Sequence, residues 1–354
     1  MDGLPETLLA DTAAMETFIA AFSPPRQRTL KRPIGCVGVG LHCGRRVQMT
    51  LNPAAAGSGI VFRRNDLGPG GVDIPARFDR VVNTQLCTLL GSPERPEVQV
   101  GTVEHLTAAL FGCGIDNAVI ELDGPELPIL DGSSASFVFL LDCAGVVEQD
   151  APRREIEILR PVRVEDGDAY AELRPGRGAG LEMALSIAFE APAIGRQALS
   201  LFLTAEAFRH ELARARTFTM MSEVARLRAA GRAQGGSLDN AIVVDQARVL
   251  NPGGLRMPDE FVRHKLLDAV GDLALAGTAV RGRFVAHRSG HTLNNRLLRA
   301  LFADAAAWRD ATASRPDWFG AGTPPVQPIG AVRLPSRRRS GPRAAPARTA
   351  AAIG

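Results

Sequence analysis

The sequence predicts an α+β fold, and three observations point there. Short alternating strands, punctuated by glycine and proline, occupy the chain from Gln27 onward. Two apolar helices, each carrying a histidine, recur in the two halves. Each of these helices runs into a glycine and then a strand. The 354 residues suffice for about two domains with ample core. Apolar residues make up 45% and charged residues 22%, which is ordinary for a soluble globular protein. A net charge of +3 gives no argument for nucleic acid. The five cysteines are odd in number and lack CxxC spacing, which argues against a disulfide framework or a cysteine zinc site and fits a reducing cytoplasm. No apolar run approaches the roughly 18 residues of a membrane span.

Residues 1–26 open on acidic residues, without the basic start of a signal peptide, and are expected to be a poorly ordered extension with an amphipathic stretch, PETLLADTAAMETFIAAF. RTLKRPIGCVGVG, RRVQMTLNP and GIVFRRND then read as strands. In TVEHLTAALFGCGIDNAVIEL, residues 102–122, Thr102 is taken as the N-cap of a helix with Leu106, Ala109 and Leu110 on one side. Gly112 and Gly114 end it, and NAVIEL is a strand. LPILDGSSASFVFLLDCAGV reads as a loop entering a helix. The polar, proline-containing join APRREIE, residues 151–157, marks a boundary between a first domain, 27–150, and a second, 151–313. The second opens with strands in IEILRPVRVEDG, AYAELRPG and LEMALSIAF. AEAFRHELARARTF reads as one helix with a basic end and an exposed His210. TMMSEVARLRAAGRAQGGSLDNAIVVD holds a helix, a Gly-Gly turn and a strand. Residues 314–354, rich in Arg, Pro and Ala, carry too little apolar surface to order themselves.

Chemistry concentrates between Asp259 and Asn295. If DEFVRHKLLDAVGDL is helical, His264, Asp268 and Asp272 fall at i, i+4 and i+8, on one stripe. The other faces carry Leu266, Leu267, Val270 and Leu273, so the helix is largely buried. Buried carboxylates and imidazoles need pairing or a metal. On this helix alone, a His–Asp ion pair accounts for the pattern as well as zinc does. The next segment, VRGRFVAHRSGH, reads as a strand with His291 after its terminal turn, a group held just off the polar stripe. Glu104-His105, in the earlier half, supplies a further histidine. Two histidines and one aspartate make three protein ligands, which leaves the fourth zinc position to water, as catalytic sites do. Glu104 beside such a ligand is a candidate general base, although an isolated Glu-His pair is usually a solvated helix start. His42, in the turn GVGLHCG, reads as packing near the site rather than as a ligand.

Seven segments occur in order: GVGLHCG (38–44), TVEHL (102–106), PILDGSSASF (128–137), RARTF (214–218), GGSLDNAIVVD (235–245), EFVRHKLLDAVGDL (260–273) and SGHTLNN (289–295). Together they resemble the UDP-3-O-acyl-N-acetylglucosamine deacetylases, the zinc amidases of lipid A biosynthesis (the LpxC family), from about Gln27 to about Trp308. The resemblance implies two domains of similar topology, each a helix layer on a sheet, with the active site at their interface. It implies one Zn²⁺ per chain on His105, His264 and Asp268; Fe²⁺ suits the same N and O donors. Glu104 would be the general base and His291 the general acid or cationic partner. Asp272 would orient His291, and Thr217 would stabilise the oxyanion. Lys265 would meet the diphosphate, Phe189 and Arg288 the uridine end, and Phe218 the sugar. An insert at about 219–245 would form a passage for the acyl chain, lined by Met220, Met221, Val224, Ala233, Gly236 and Val243. Arg226 stands there where the family often has a large, often aromatic, residue. Ala188 stands where the family has Asp, and Arg288 where it often has Lys. The implied protein is a cytoplasmic monomer whose partner is the UDP-sugar lipid. A zinc peptidase would share the metal chemistry, but HExxH is absent and the insert would be left unexplained. A non-enzymatic homologue that keeps the fold is the other alternative.

Overall fold

The structure is a computed structural model that describes residues 25–312. The expectations for the stretches 1–24 and 313–354 lie outside the described residues. The architecture is mixed α and β, as the alternation of periods in the sequence requires. In the first half, strands Ile34–Val39, Arg46–Pro53, Ala118–Leu122, Ile60–Arg64 and Val72–Pro75 lie side by side in that order. In the second half, the long strand Ala279–His287 is central. It pairs parallel with Glu155–Ile158 and Leu181–Ala188, and antiparallel with Ala169–Arg174. A smaller sheet joins Phe218–Met220, Ile242–Asp245 and Arg248–Val249. Every one of these sheets draws its strands from one side of Arg153.

Five helices matter for the site: α1 (Glu104–Gly112), α2 (Ala135–Ala144), α3 (Met221–Ala229), α4 (Glu260–Ala274) and α5 (His291–Ala303). None among the described residues is long and apolar enough to cross a membrane. In α1, alanine and leucine supply helix propensity, and all residues but Phe111 are buried. Gly114, at φ 74°, ends it. Its N–H donates to Phe111 O at 3.0 Å, and Ile115 N–H donates to Leu110 O at 2.8 Å, the double closure of a left-handed cap. The expected N-cap role of Thr102 is not what the chain adopts. Val103 holds the cap position without a side-chain bond. Thr102 is left-handed, at φ 57°, and its hydroxyl donates instead to Glu126 Oε1 at 2.8 Å. Glu126 holds the hydroxyl, and the left-handed backbone of Thr102 is not the extended conformation an N-cap adopts.

Two other expectations need correction. AEAFRHELARARTF does not form one helix: a single turn at Ala205–Ala207 passes into a wider turn over Phe208–Leu212, and Phe218 already opens a strand. His210 is exposed, as expected. His291 does not merely end a turn; it is the first residue of α5, whose apolar Leu293, Leu297, Leu298 and Leu301 face the core.

α1 and α4 pack directly on each other. Thr107 Oγ1 donates to Gly271 O at 3.0 Å, and a Cβ placed on Gly271 would lie 2.0 Å from Glu104 O. Backbone cannot yield as a flexible side chain does, so only glycine permits this crossing. Gly271→Ala is expected to destabilise the protein by about 1–3 kcal/mol or more, as overpacking does. Thermal unfolding reads this as a lowered Tm. An unchanged Tm would mean the helices do not cross this closely.

Candidate active site

The close crossing of α1 and α4 brings three side chains together. His105 is the second residue of α1; His264 and Asp268 stand one turn apart on α4. One potential ligand atom from each lies within 4.8 Å of the others. His264 Nε2 is 3.3 Å, and His105 Nε2 3.7 Å, from Asp268 Oδ1. The two rings meet edge to face at 5.1 Å. The parallel between the two halves holds with an offset: Glu104-His105 open α1, whereas Arg263-His264 sit one turn inside α4.

His264 Nδ1 lies 3.0 Å from Ala215 O. A carbonyl only accepts, so Nδ1 carries the proton and Nε2 presents a lone pair. His264 Nε2 and Asp268 Oδ1 are buried and without a hydrogen-bond partner among the described residues. Such orphans are rare in a folded interior, and these two lie 3.3 Å apart. Burial, then His264, pushes His105 down to about 3. Burial also lowers His264. Neutral imidazoles and an ionised aspartate are the states a divalent cation binds. Burial works against ionisation of Asp268, but His264, Lys265 and His291 outweigh it and hold the carboxyl below the usual carboxylate range. The donor set N, N, O fits zinc.

Beside this cluster stand Glu104, His291 and Asp272, all buried. His291 Nδ1 donates to Asp272 Oδ2 at 2.9 Å, and His291 Nε2 faces Glu104 Oε1 at 3.8 Å. Burial disfavours charge on His291, but Asp272 and Glu104 reverse this and raise it to about 9. Burial raises Glu104 to about 7; His291 pulls it down, while Asp268 and Asp272 push it up. Both groups are thus raised, the carboxyl chiefly by burial and the imidazole by its two carboxylate neighbours, as perturbed groups at functional sites are.

The structure also brings in residues that sequence reasoning missed. Thr88 donates from its hydroxyl to Asp272 Oδ1 at 2.7 Å and from its N–H to Glu104 Oε2 at 3.0 Å. Asn294 Nδ2 donates to Asp272 Oδ2 at 2.9 Å. Asn294 lies within SGHTLNN, three residues after His291, where helical spacing from the histidine was a usable signal. Thr88 has no such signal, because its partners are 16 and 184 residues away.

Of the remaining expected residues, Lys265 and Phe218 touch the cluster itself. Thr217 is buried two residues past Ala215, its N–H bound to Gly132 O at 2.8 Å. Phe218 packs edge to face on Phe261, Phe189 and His264, with centroids at 5.0, 5.5 and 6.2 Å. The Lys265 ammonium is buried and lies 3.2 Å from Asp268 Oδ2. Arg288 is partly exposed and pairs with Asp168 at 2.7 Å. Met220 and Val243 lie on neighbouring strands of the small sheet, and Met221 and Val224 on α3. Ala233 and Gly236 belong to the following turn, where Gly235 N–H donates to Leu41 O at 3.0 Å. The Ala233–Gly236 turn thus lies against the Gly40–Gly44 turn. His42 is buried in that turn, and Glu126 accepts its backbone N–H at 2.8 Å.

Residues 27–303 match the family model described as LpxC, UDP-3-O-acyl N-acetylglycosamine deacetylase. A UDP-3-O-acyl-N-acetylglucosamine deacetylase of Idiomarina loihiensis is 53% identical over 289 residues, covering 81% of this chain and 93% of that protein. One of Shewanella baltica is 50% identical over 282 residues, covering 80% and 91%. The matched span contains the whole buried cluster of two histidines, three carboxylates and the His291 imidazole, and the chain belongs to the UDP-3-O-acyl N-acetylglycosamine deacetylase family of hydrolases.

Proposed function

We propose that the protein hydrolyses the N-acetyl amide of UDP-3-O-(3-hydroxyacyl)-N-acetylglucosamine, releasing acetate and the free amine, with one Zn²⁺ held by His105, His264 and Asp268. The single observation that carries the metal is the convergence of His264 Nε2 and Asp268 Oδ1, both buried and unpartnered, beside His105. Zinc in such a site lowers the pKa of water towards about 7 and polarises a carbonyl oxygen. Everything else falls to the chain. Glu104 Oε1 takes the proton of the attacking water as general base. The water oxygen bonds to the acetyl carbon, and the C–N bond breaks. His291, charged and held by Asp272, delivers the proton that the leaving amine requires. The Thr217 hydroxyl stabilises the oxyanion.

Around this centre, Lys265 and Arg288 offer charge to the diphosphate and the uridine end, and Phe189 and Phe218 offer aromatic faces. Lys265 does so while balancing Asp268. Met220, Met221, Val224, Ala233, Gly236 and Val243 line the acyl passage. The division into domains 27–150 and 151–313, with the insert at about 219–245 and the site between them, is supported by the segregation of sheets on either side of Arg153. We assign the reaction to the cytoplasm, in a monomer.

The test is acetate release by protein stripped of metal and then given one equivalent of zinc. Activity absent in the stripped form and restored by zinc is the expected result. No activity in either form, with zinc bound, would leave the site standing and remove the substrate.

A further inference from the structure

We propose that Thr88 is a positioning residue that sets the general base and the orienter of the general acid with one side chain and one N–H. The proposal rests on the roles given above to Glu104, Asp272 and His291. Each of the two carboxylates has one oxygen tied to Thr88 and the other directed at His291. Glu104 Oε2 accepts the Thr88 N–H at 3.0 Å, and Oε1 stands 3.8 Å from His291 Nε2. Asp272 Oδ1 accepts the Thr88 hydroxyl at 2.7 Å, and Oδ2 accepts His291 Nδ1–H and Asn294 Nδ2 at 2.9 Å each. The hydroxyl's proton is committed to Asp272, so the bond is charge-assisted and short.

The placement has a structural origin. Thr88 precedes the strand Leu89–Gly91, and only 1% of its surface is exposed. Two residues earlier Leu86 is left-handed, at φ 73°, a conformation unfavourable for a branched side chain. That turn brings the chain over α1, where Val103 N–H reaches Thr88 O at 3.5 Å. Thr88 belongs to the first half of the chain, whereas Asp272 and His291 belong to the second. It therefore fixes the general base of one half against the acid assembly of the other. Hydrogen-bond partners that orient metal ligands typically cost about 10–100-fold in activity when lost, and a similar factor is expected for a group that orients Glu104 and Asp272.

Thr88→Val keeps the shape and the N–H but removes the hydroxyl. The expected result is a kcat lowered by about 10–100-fold, with KM within about threefold and one equivalent of zinc retained. Thr88→Ser is expected to restore kcat to within about threefold of the parent. The low-field proton resonance of His291 Nδ1–H, read by NMR, is expected in the parent and in Thr88→Ser and to shift or vanish in Thr88→Val. Unchanged kcat in Thr88→Val, or equal losses of kcat, zinc and Tm, would overturn the proposal. If Thr88→Val does not fold, Thr88→Ala is measured by the same criteria, and failure of both assigns Thr88 to the fold alone and also overturns it. Loss of activity in Glu104→Gln with retention in Thr88→Val would refute the role of Thr88 and leave the reaction standing. Retention in both would remove the general base itself.

Discussion

Glu104→Gln is expected to lower kcat by about 10²–10⁴-fold, the range for loss of a general base, while the protein still binds one equivalent of zinc. The substitution preserves volume and can still accept from Thr88 N–H, so the packing of α1 on α4 is kept. What it removes is the lone pair of an ionised carboxylate. The pH profile sharpens the expectation. Glu104 must be ionised, and its pKa is raised to about 7, so activity rises as pH passes upward through that region. His291 must be protonated, and its pKa is raised to about 9, so activity falls above it. The parent enzyme is thus expected to show a bell between the two, and the residual activity of Glu104→Gln is expected to lose the rising limb while keeping the falling one. Normal turnover in Glu104→Gln would sink the role assigned to Glu104.

The same groups show how much was legible in the sequence. The stripe on α4 was readable because helical period is local: His264, Asp268 and Asp272 needed only spacing to be placed together. The contribution of His105 was not a matter of spacing. It depends on a helix from the other half crossing α4 at Gly271, a contact that no local pattern encodes. Here the similarity of motifs, rather than periodicity, joined His105 to His264. The start of α5 is not legible because HTLNN is polar and follows a glycine. Its apolar Leu293, Leu297, Leu298 and Leu301 begin only after His291, so the helix start reads as a turn.

The misplaced cap has the same lesson at smaller scale. A threonine two residues before a helix is a good N-cap by composition. Thr102 is drawn away because Glu126 already accepts the N–H groups of His42 and Cys43 and takes its hydroxyl as well. That arrangement is visible only once the Gly40–Gly44 turn is folded against Glu126. Thr88 is the strongest instance: neither of its carboxylate partners is near it in sequence, and threonine carries no chemical signature of its own.

His264→Ala is expected to abolish stoichiometric metal binding, and turnover with it. The imidazole is fully buried, its Nδ1 committed to Ala215 O, and its Nε2 has no other partner among the described residues. Alanine is the best helix former, so α4 itself is not expected to break. Loss of an outer-shell partner typically costs about 10–100-fold in metal affinity or activity, and loss of a ligand outright costs more. The variant is expected to elute from gel filtration folded, with well under one equivalent of zinc, while Glu104→Gln and His291→Ala elute with the metal retained. Metal analysis of the three side by side separates holding the ion from using it. One equivalent of zinc on His264→Ala would remove this imidazole from the ligand set. Its orphaned Nε2 would then belong to a His–Asp pair with Asp268, the alternative that the spacing on α4 admits by itself.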